Sequence, residues 1–184
     1  MIAFADPVAA MLPSAFFALL FGVAATHKFT AWQLFRQQLA DYRVLPAAAI
    51  TPVAAVLPLL EALVACGWLD AATRSAAAAC SALLLAAYAG AMGWNLAQGR
   101  DLIDCGCGGT DGSQVIRPAL VVRNLLLAAL ALGLAASGVL AAAPLRTMGW
   151  IDWLTVFGGA LSVMGIYVAI NQILANLPPQ RVLD

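Results

Sequence analysis

The chain has 184 residues, of which 64% are hydrophobic and 10% charged, with no net charge. Soluble domains carry about 25% charged residues, so this composition cannot coat a water-soluble surface, and a mean hydropathy of +0.92 points to lipid as the solvent. Nine basic against nine acidic side chains also exclude the basic surface that nucleic-acid binding needs. The length leaves room for one compact bundle and no large domain outside the membrane.

The N-terminus lacks the basic leader of a signal peptide, and Asp6 is its one early charge. The first apolar run is therefore expected to stay in place as a spanning helix. Crossing a bilayer takes about 20 apolar residues. Five stretches qualify, at about residues 8–26, 48–69, 75–97, 119–142 and 150–174. Inside lipid the backbone must satisfy its own hydrogen bonds, so all five are read as helices.

The connections differ in character. Residues 27–47 mix Phe29, Trp32, Leu34, Phe35, Leu39 and Tyr42 with Lys28, Arg36, Asp41 and Arg43, which suggests a short amphipathic helix at the membrane surface. Residues 70–74 are a tight turn that makes a hairpin of the second and third spans. Residues 98–118 are polar and Gly-rich and hold Cys105 and Cys107. Residues 143–149 are short, and Pro178-Pro179 ends the last helix. The expected fold is an all-α membrane protein, one polytopic domain over residues 1–184. It has about five transmembrane helices with a four-helix core, and an interfacial helix between the first two.

With five spans, Lys28, Arg36, Arg43, Arg100, Arg117, Arg123 and Arg181 share one side, and Arg74 and Arg146 the other. Seven against two places the cysteine loop in the cytoplasm by charge alone.

The loop reads Asp104-Cys105-Gly106-Cys107-Gly108-Gly109. A disulfide across one residue closes a very small ring, and strained geometry makes such a bond more reducible. Gly106 and Gly108 relax the backbone enough for closure. A strained, accessible disulfide is oxidising, of the catalytic rather than the structural kind. Arg117, Arg123 and the start of the fourth helix favour a thiolate, while Asp101, Asp104 and Asp111 oppose it. Other readings stay open. Cys105 and Cys107 could bind a soft metal with an Asp or His27, although a lone Cys-x-Cys is a poor metal signal. They could also be incidental loop residues.

Glu61 falls near the middle of the second span, where an ionisable group is expensive and points to function. It is expected to be protonated, hydrogen-bonded, or paired with Arg123 or Lys28, as a proton relay or as a polar lock between helices. Arg123 lies one turn into the fourth span, where it either snorkels to the interface or holds a thiolate or a quinone oxygen. Asn124 is placed to brace it. His27 ends the first span and reads as a surface group. Cys66 and Cys80 lie at the other end of the bundle, on the order of 20 Å from the cysteine loop by helical rise, and read as packing residues. Trp94, Trp150 and Trp153 read as interface anchors.

The segments His27-Lys28-Phe29, Phe35, Tyr42-Arg43-Val44-Leu45-Pro46, Pro58-Leu59-Leu60-Glu61, Tyr88, Asn95-Leu96, Gly99-Arg100, Asp104-Cys105-Gly106-Cys107-Gly108 and Val122-Arg123-Asn124 resemble MauE and the related DoxX-like proteins. The resemblance covers about residues 20 to 125, and the Cys-x-Cys loop followed by Arg-Asn is its specific part. It implies a role in methylamine utilisation, in maturing the disulfide-rich periplasmic small subunit of methylamine dehydrogenase together with MauD, a thioredoxin-like partner. Cys105 and Cys107 would then pass oxidising equivalents, with Arg123 and Glu61 supplying charge stabilisation and a proton path. A membrane quinone is the expected acceptor, near Arg123, Asn124 and His27, by analogy with vitamin K epoxide reductase. No bound metal is expected. Disulfides persist in the periplasm, so this reading sets the loop on the periplasmic face of a bacterial inner membrane, against the charge count. The rival readings are a non-enzymatic scaffold for the same maturation and a soft-metal carrier.

Overall fold

The computed structural model describes residues 4–106 and 114–176. Five long helices and one short one follow in order: α1 (Pro7–Thr30), α2 (Trp32–Asp41), α3 (Ala47–Leu69), α4 (Arg74–Ala97), α5 (Pro118–Ser137) and α6 (Trp150–Asn176). All but α2 are long and apolar enough to cross a membrane. The fold is an all-helical membrane bundle, as the sequence predicts. A 3-10 turn at Val139–Ala141 follows α5, and a two-residue parallel pairing joins Phe4–Ala5 to Ala143–Pro144.

Local chemistry fixes the helix ends. The Asp6 carboxylate caps α1 by accepting from the Val8 N–H at 2.9 Å, and Pro7 occupies the first turn. Pro118 likewise opens α5, and Gly138 ends it with φ 72°, a left-handed conformation that suits glycine. This stop falls before residue 142, so the fourth span is shorter than expected. Helix α1 instead runs on to Thr30, carrying His27 and Lys28 inside its last turns.

The core is built by α1, α3, α4 and α5. Phe16, Phe17, Leu20 and Phe21 of α1 meet Val64, Ala65 and Trp68 of α3, Ala77, Ala78, Ala82 and Leu85 of α4, and Ala128 and Ala131 of α5. Alanine at these contacts lets the backbones approach closely, as helices in lipid require. Trp68 is fully buried; it stacks on Phe17 with ring centroids 4.9 Å apart and donates to Ser81 Oγ at 2.9 Å. Helix α6 lies outside this core, buried only at Val156 and Ala160. Its exposed Leu154, Phe157, Leu161, Ile166 and Ile173 suit lipid.

At one end of the bundle Arg146 bonds Asp6 and Asp152, tying the start of α1 to the start of α6. The opposite end holds the last turns of α1, all of α2, the 98–106 segment and the start of α5. Helix α2 is the interfacial helix expected in the first connection. It buries Phe35 and keeps Gln33, Leu34 and Gln37 outward or partly so.

Candidate functional site

A cavity of about 350 Å³ opens at that second end, bordered by every helix of the bundle. The volume lies within the range of small-molecule sites, roughly 300–1,000 Å³. Its walls are mainly apolar, with Leu20, Phe21, Phe35, Leu57, Leu85 and Met92. Polar groups enter at a few points: His27, Lys28, Gln38, Tyr42, Glu61, Tyr88, Cys105, Arg123 and Asn124.

The first polar cluster joins three helices. Lys28 Nζ of α1 lies 2.7 Å and 2.9 Å from the two carboxylate oxygens of Glu61 in α3. The Tyr88 hydroxyl of α4 donates to Glu61 Oε1 at 2.6 Å. The ammonium also sits over the rings of Phe35 and Tyr88, 5.5 Å and 5.4 Å from their centroids, positions that attract a cation. Lys28 is 6% exposed and Glu61 0%. Of the two partners expected for Glu61, Lys28 is the one found.

Arg123 belongs to a second cluster. Its guanidinium bonds Asn124 Oδ1 at 3.1 Å and 3.3 Å, bonds Asn171 Oδ1 of α6, and lies 5.2 Å from the centre of the Tyr167 ring. It neither snorkels outward nor meets Glu61. Asn124 is buried and braces it, as its position suggests.

Cys105 forms a third point on the wall. The chain pairs Asp104 with Val115 in an antiparallel bridge. The Cys105 N–H donates to Gln114 O at 2.8 Å, and the Ile116 N–H to Ile103 O at 2.9 Å. The Tyr42 hydroxyl donates to the Cys105 carbonyl at 3.0 Å. The thiol is buried and lies 3.7 Å from Gln114 Oε1, while Gln114 Nε2 donates to the Asn171 carbonyl at 3.2 Å. The sequence suggests a thiol in an open polar loop, but these contacts turn Cys105 into the bundle. Cys107 lies outside the described residues, as do Asp111 and Arg181.

Gly106 follows with φ 66°, and a Cβ there would come within 3.2 Å of Gln38 Oε1 of α2. Asp104 holds the turn by accepting from the Gly106 N–H at 2.9 Å. Partial burial pushes its carboxyl above the ordinary range, while the Gly106 and Gln38 hydrogen bonds and the nearby His27 act the other way. His27 is half-buried on the cavity wall rather than free at the surface.

Cys66 and Cys80 are exposed on α3 and α4, away from the cavity. Among the described residues no three His, Cys, Asp or Glu side chains gather as metal ligands. The sequence alone gave no site role to Gln38, Gln114, Tyr167 or Asn171; Tyr42 stood out only in the amphipathic segment and the resemblance, and Tyr88 only within the resemblance. The available signal was that Tyr88 and Asn171 are polar groups set well inside apolar helices.

Five apolar spans around a cavity with buried charges define a multi-pass membrane protein. Within that class the family is specific: the model of "Methylamine utilisation protein MauE" matches residues 6–138, and the chain belongs to this family. Among similar proteins, "Methylamine utilization protein MauE" of Paracoccus denitrificans is 43% identical over 129 residues, 70% of this chain and 69% of that one. The protein of the same name from Paracoccus versutus is 39% identical over 121 residues, 66% of this chain and 65% of that one. The one from Methylophilus methylotrophus is 34% identical over 168 residues, 89% and 85% of the two chains. No solved structure matches.

Proposed function

We propose that this chain acts in methylamine utilisation as a membrane thiol-disulfide redox protein. In this role it supports disulfide formation in the small subunit of methylamine dehydrogenase, with a MauD-like thioredoxin-fold partner. The observation that carries the reading is the position of Cys105, a buried residue that lines one apolar cavity together with Lys28, Glu61, Tyr88 and Arg123. A cysteine held by Tyr42 and Gln114 beside buried charge is more than a loop staple.

The exchange balances simply. A client dithiol reduces the Cys105–Cys107 disulfide: two client S–H bonds become one S–S bond, and the protein gains two thiols. Restoring the disulfide releases two electrons and two protons. A membrane quinone, reduced to its quinol, is the acceptor class that takes up both. The cavity suits such a group, because its walls are apolar and its donors are few and buried. Cys105 holds the thiol at the wall, and Tyr42 and Gln114 fix its backbone.

The protein lies in a bacterial inner membrane with the cysteine loop in the periplasm. The opposing charge count weakens once side chains are placed. Lys28 is paired to Glu61, Arg123 bonds Asn124 and Asn171, and Arg117 is buried. Setting these three aside leaves Arg36, Arg43, Arg100 and Arg181 against Arg74 and Arg146, so the count narrows to four against two and the redox compartment carries the assignment.

The test is Cys105→Ser and Cys107→Ser in cells growing on methylamine. The readouts are disulfide-complete small subunit and the membrane level of each variant. Loss of mature subunit with normal membrane levels is expected. Normal maturation in both variants would remove the redox role and leave a scaffold.

A further inference from the structure

We infer that Lys28, held by Glu61 and Tyr88, is the anchor for a carbonyl oxygen of a neutral, lipid-soluble quinone in this cavity. The inference takes its ligand class from the thiol-oxidation reading but concerns different residues.

Three observations lead to it. First, a buried ion pair is poor value as a fold stabiliser, because desolvation offsets the Coulomb attraction and apolar replacements of both partners are often neutral or better. An ionisable group within a span is by default a functional one. Second, an ammonium has three donors, and the two hydrogen bonds of Lys28 both go to Glu61, its other neighbours being the Phe35 and Tyr88 rings. At least one N–H is left for the cavity that Lys28 lines. Third, Arg123 is the rival anchor, but all three of its guanidinium nitrogens already donate, to Asn124 and Asn171, and it sits by the Tyr167 ring, so it is the more firmly held of the two cations. The hydrogen bond to a carbonyl oxygen is therefore assigned to Lys28, with Arg123 as the alternative that the experiment separates.

The charge balance also selects the ligand. Lys28 and Glu61 cancel, so around this pair the cavity offers a strong donor with no net charge, while Arg123 elsewhere on the wall is held by neutral Asn124 and Asn171. An anionic ligand would meet the Glu61 carboxylate as well as the ammonium. A neutral carbonyl accepts from Lys28 and leaves the pair intact. Val23 and Val44 border the cavity and are 54% and 49% exposed, so its apolar rim faces the lipid from which such a ligand would come.

The experiment uses the full-length protein in detergent, with decylubiquinone as probe and equilibrium binding as readout. A decyl-substituted dimethoxytoluene, which has no ring carbonyls, is the control. Lys28→Met/Glu61→Gln removes both charges and the Lys28 donor together, and the amide oxygen placed at position 61 still accepts from Tyr88. Losing a hydrogen bond from a charged donor predicts about tenfold weaker decylubiquinone binding, or more, with control binding unchanged. Tyr88→Phe, which keeps the ion pair, is expected to weaken decylubiquinone roughly threefold, and it decides the matter if the double variant does not fold. Equal decylubiquinone binding in wild type and variants overturns the inference, as does equal loss of both probes or no binding to wild type. A tenfold loss in Arg123→Gln with full affinity in the double variant overturns it too. Quinone binding by the wild type, together with normal client maturation in the cysteine variants, would sink the redox reading alone.

Discussion

Lys28 Nζ and Glu61 Oε1 lie 2.7 Å apart with both side chains buried, so the last turns of α1 are bound to the middle of α3 by an ion pair. Removing one partner leaves the other charge uncompensated in an apolar wall. Lys28→Met is expected to destabilise the protein by about 3–5 kcal/mol, and replacing both residues by methionine to recover most of that loss. Unfolding midpoints of the single and double variants in detergent give the coupling. Additive losses would show that the two side chains do not depend on each other.

Gly106 stands in the left-handed region beside Gln38. An alanine there pays roughly 1–2 kcal/mol for the conformation and crowds the Gln38 amide. The Cys105 turn should then open more often. In a Cys107→Ser background, alkylation of the buried Cys105 is expected to run about tenfold faster when Gly106→Ala is added, since exchange of a buried group follows local opening. An unchanged rate would mean that the turn is not strained by a side chain.

Asp104 gives a pH prediction. Burial is the largest influence on its carboxyl and raises its pKa above the ordinary value of 3.8. A raised folded-state pKa means that the neutral form is favoured on folding. The associated stability is complete below the unfolded value and is lost as pH rises through the folded one. Asp104→Asn keeps a neutral side chain at every pH. Its melting temperature should exceed that of wild type at pH 7, and the difference should shrink as pH falls toward 4. A difference that grows on acidification would contradict the sign.

The spans and the interfacial helix were legible because apolar length and aromatic-basic mixing are local properties of the chain. Glu61 stood out for the same reason, as a lone carboxylate in an apolar run. Its partner was not legible beyond two candidates, because the choice between Lys28 and Arg123 depends on how α1, α3 and α5 rotate against each other. Arg123 turns instead to Asn171, 48 residues on, in a helix whose apolar residues run all round and give no face to read. The burial of Cys105 was hidden for a similar reason. It depends on Tyr42, 63 residues earlier, and on a short bridge between Asp104 and Val115 within a segment that reads as open loop.

On the proposed redox reading, that burial predicts which cysteine meets a protein partner. Cys105 Sγ lies inside the bundle against Gln114, where another protein's thiol cannot reach it without opening the turn. On that reading, attack on a Cys105–Cys107 disulfide is expected at the Cys107 sulfur, with Cys105 as the leaving thiol. The attacked sulfur keeps the partner as a mixed disulfide until a second thiol resolves it. In Cys105→Ser the lone Cys107 thiolate can attack the disulfide of an oxidised thioredoxin-fold partner, forming a mixed disulfide and releasing one partner thiol, with no neighbouring thiol to resolve it. Non-reducing gels of methylamine-grown cells should show a partner adduct on Cys105→Ser and none on Cys107→Ser. Adducts on Cys107→Ser alone would reverse the order, making Cys105 the cysteine that partners engage and the buried conformation a resting state.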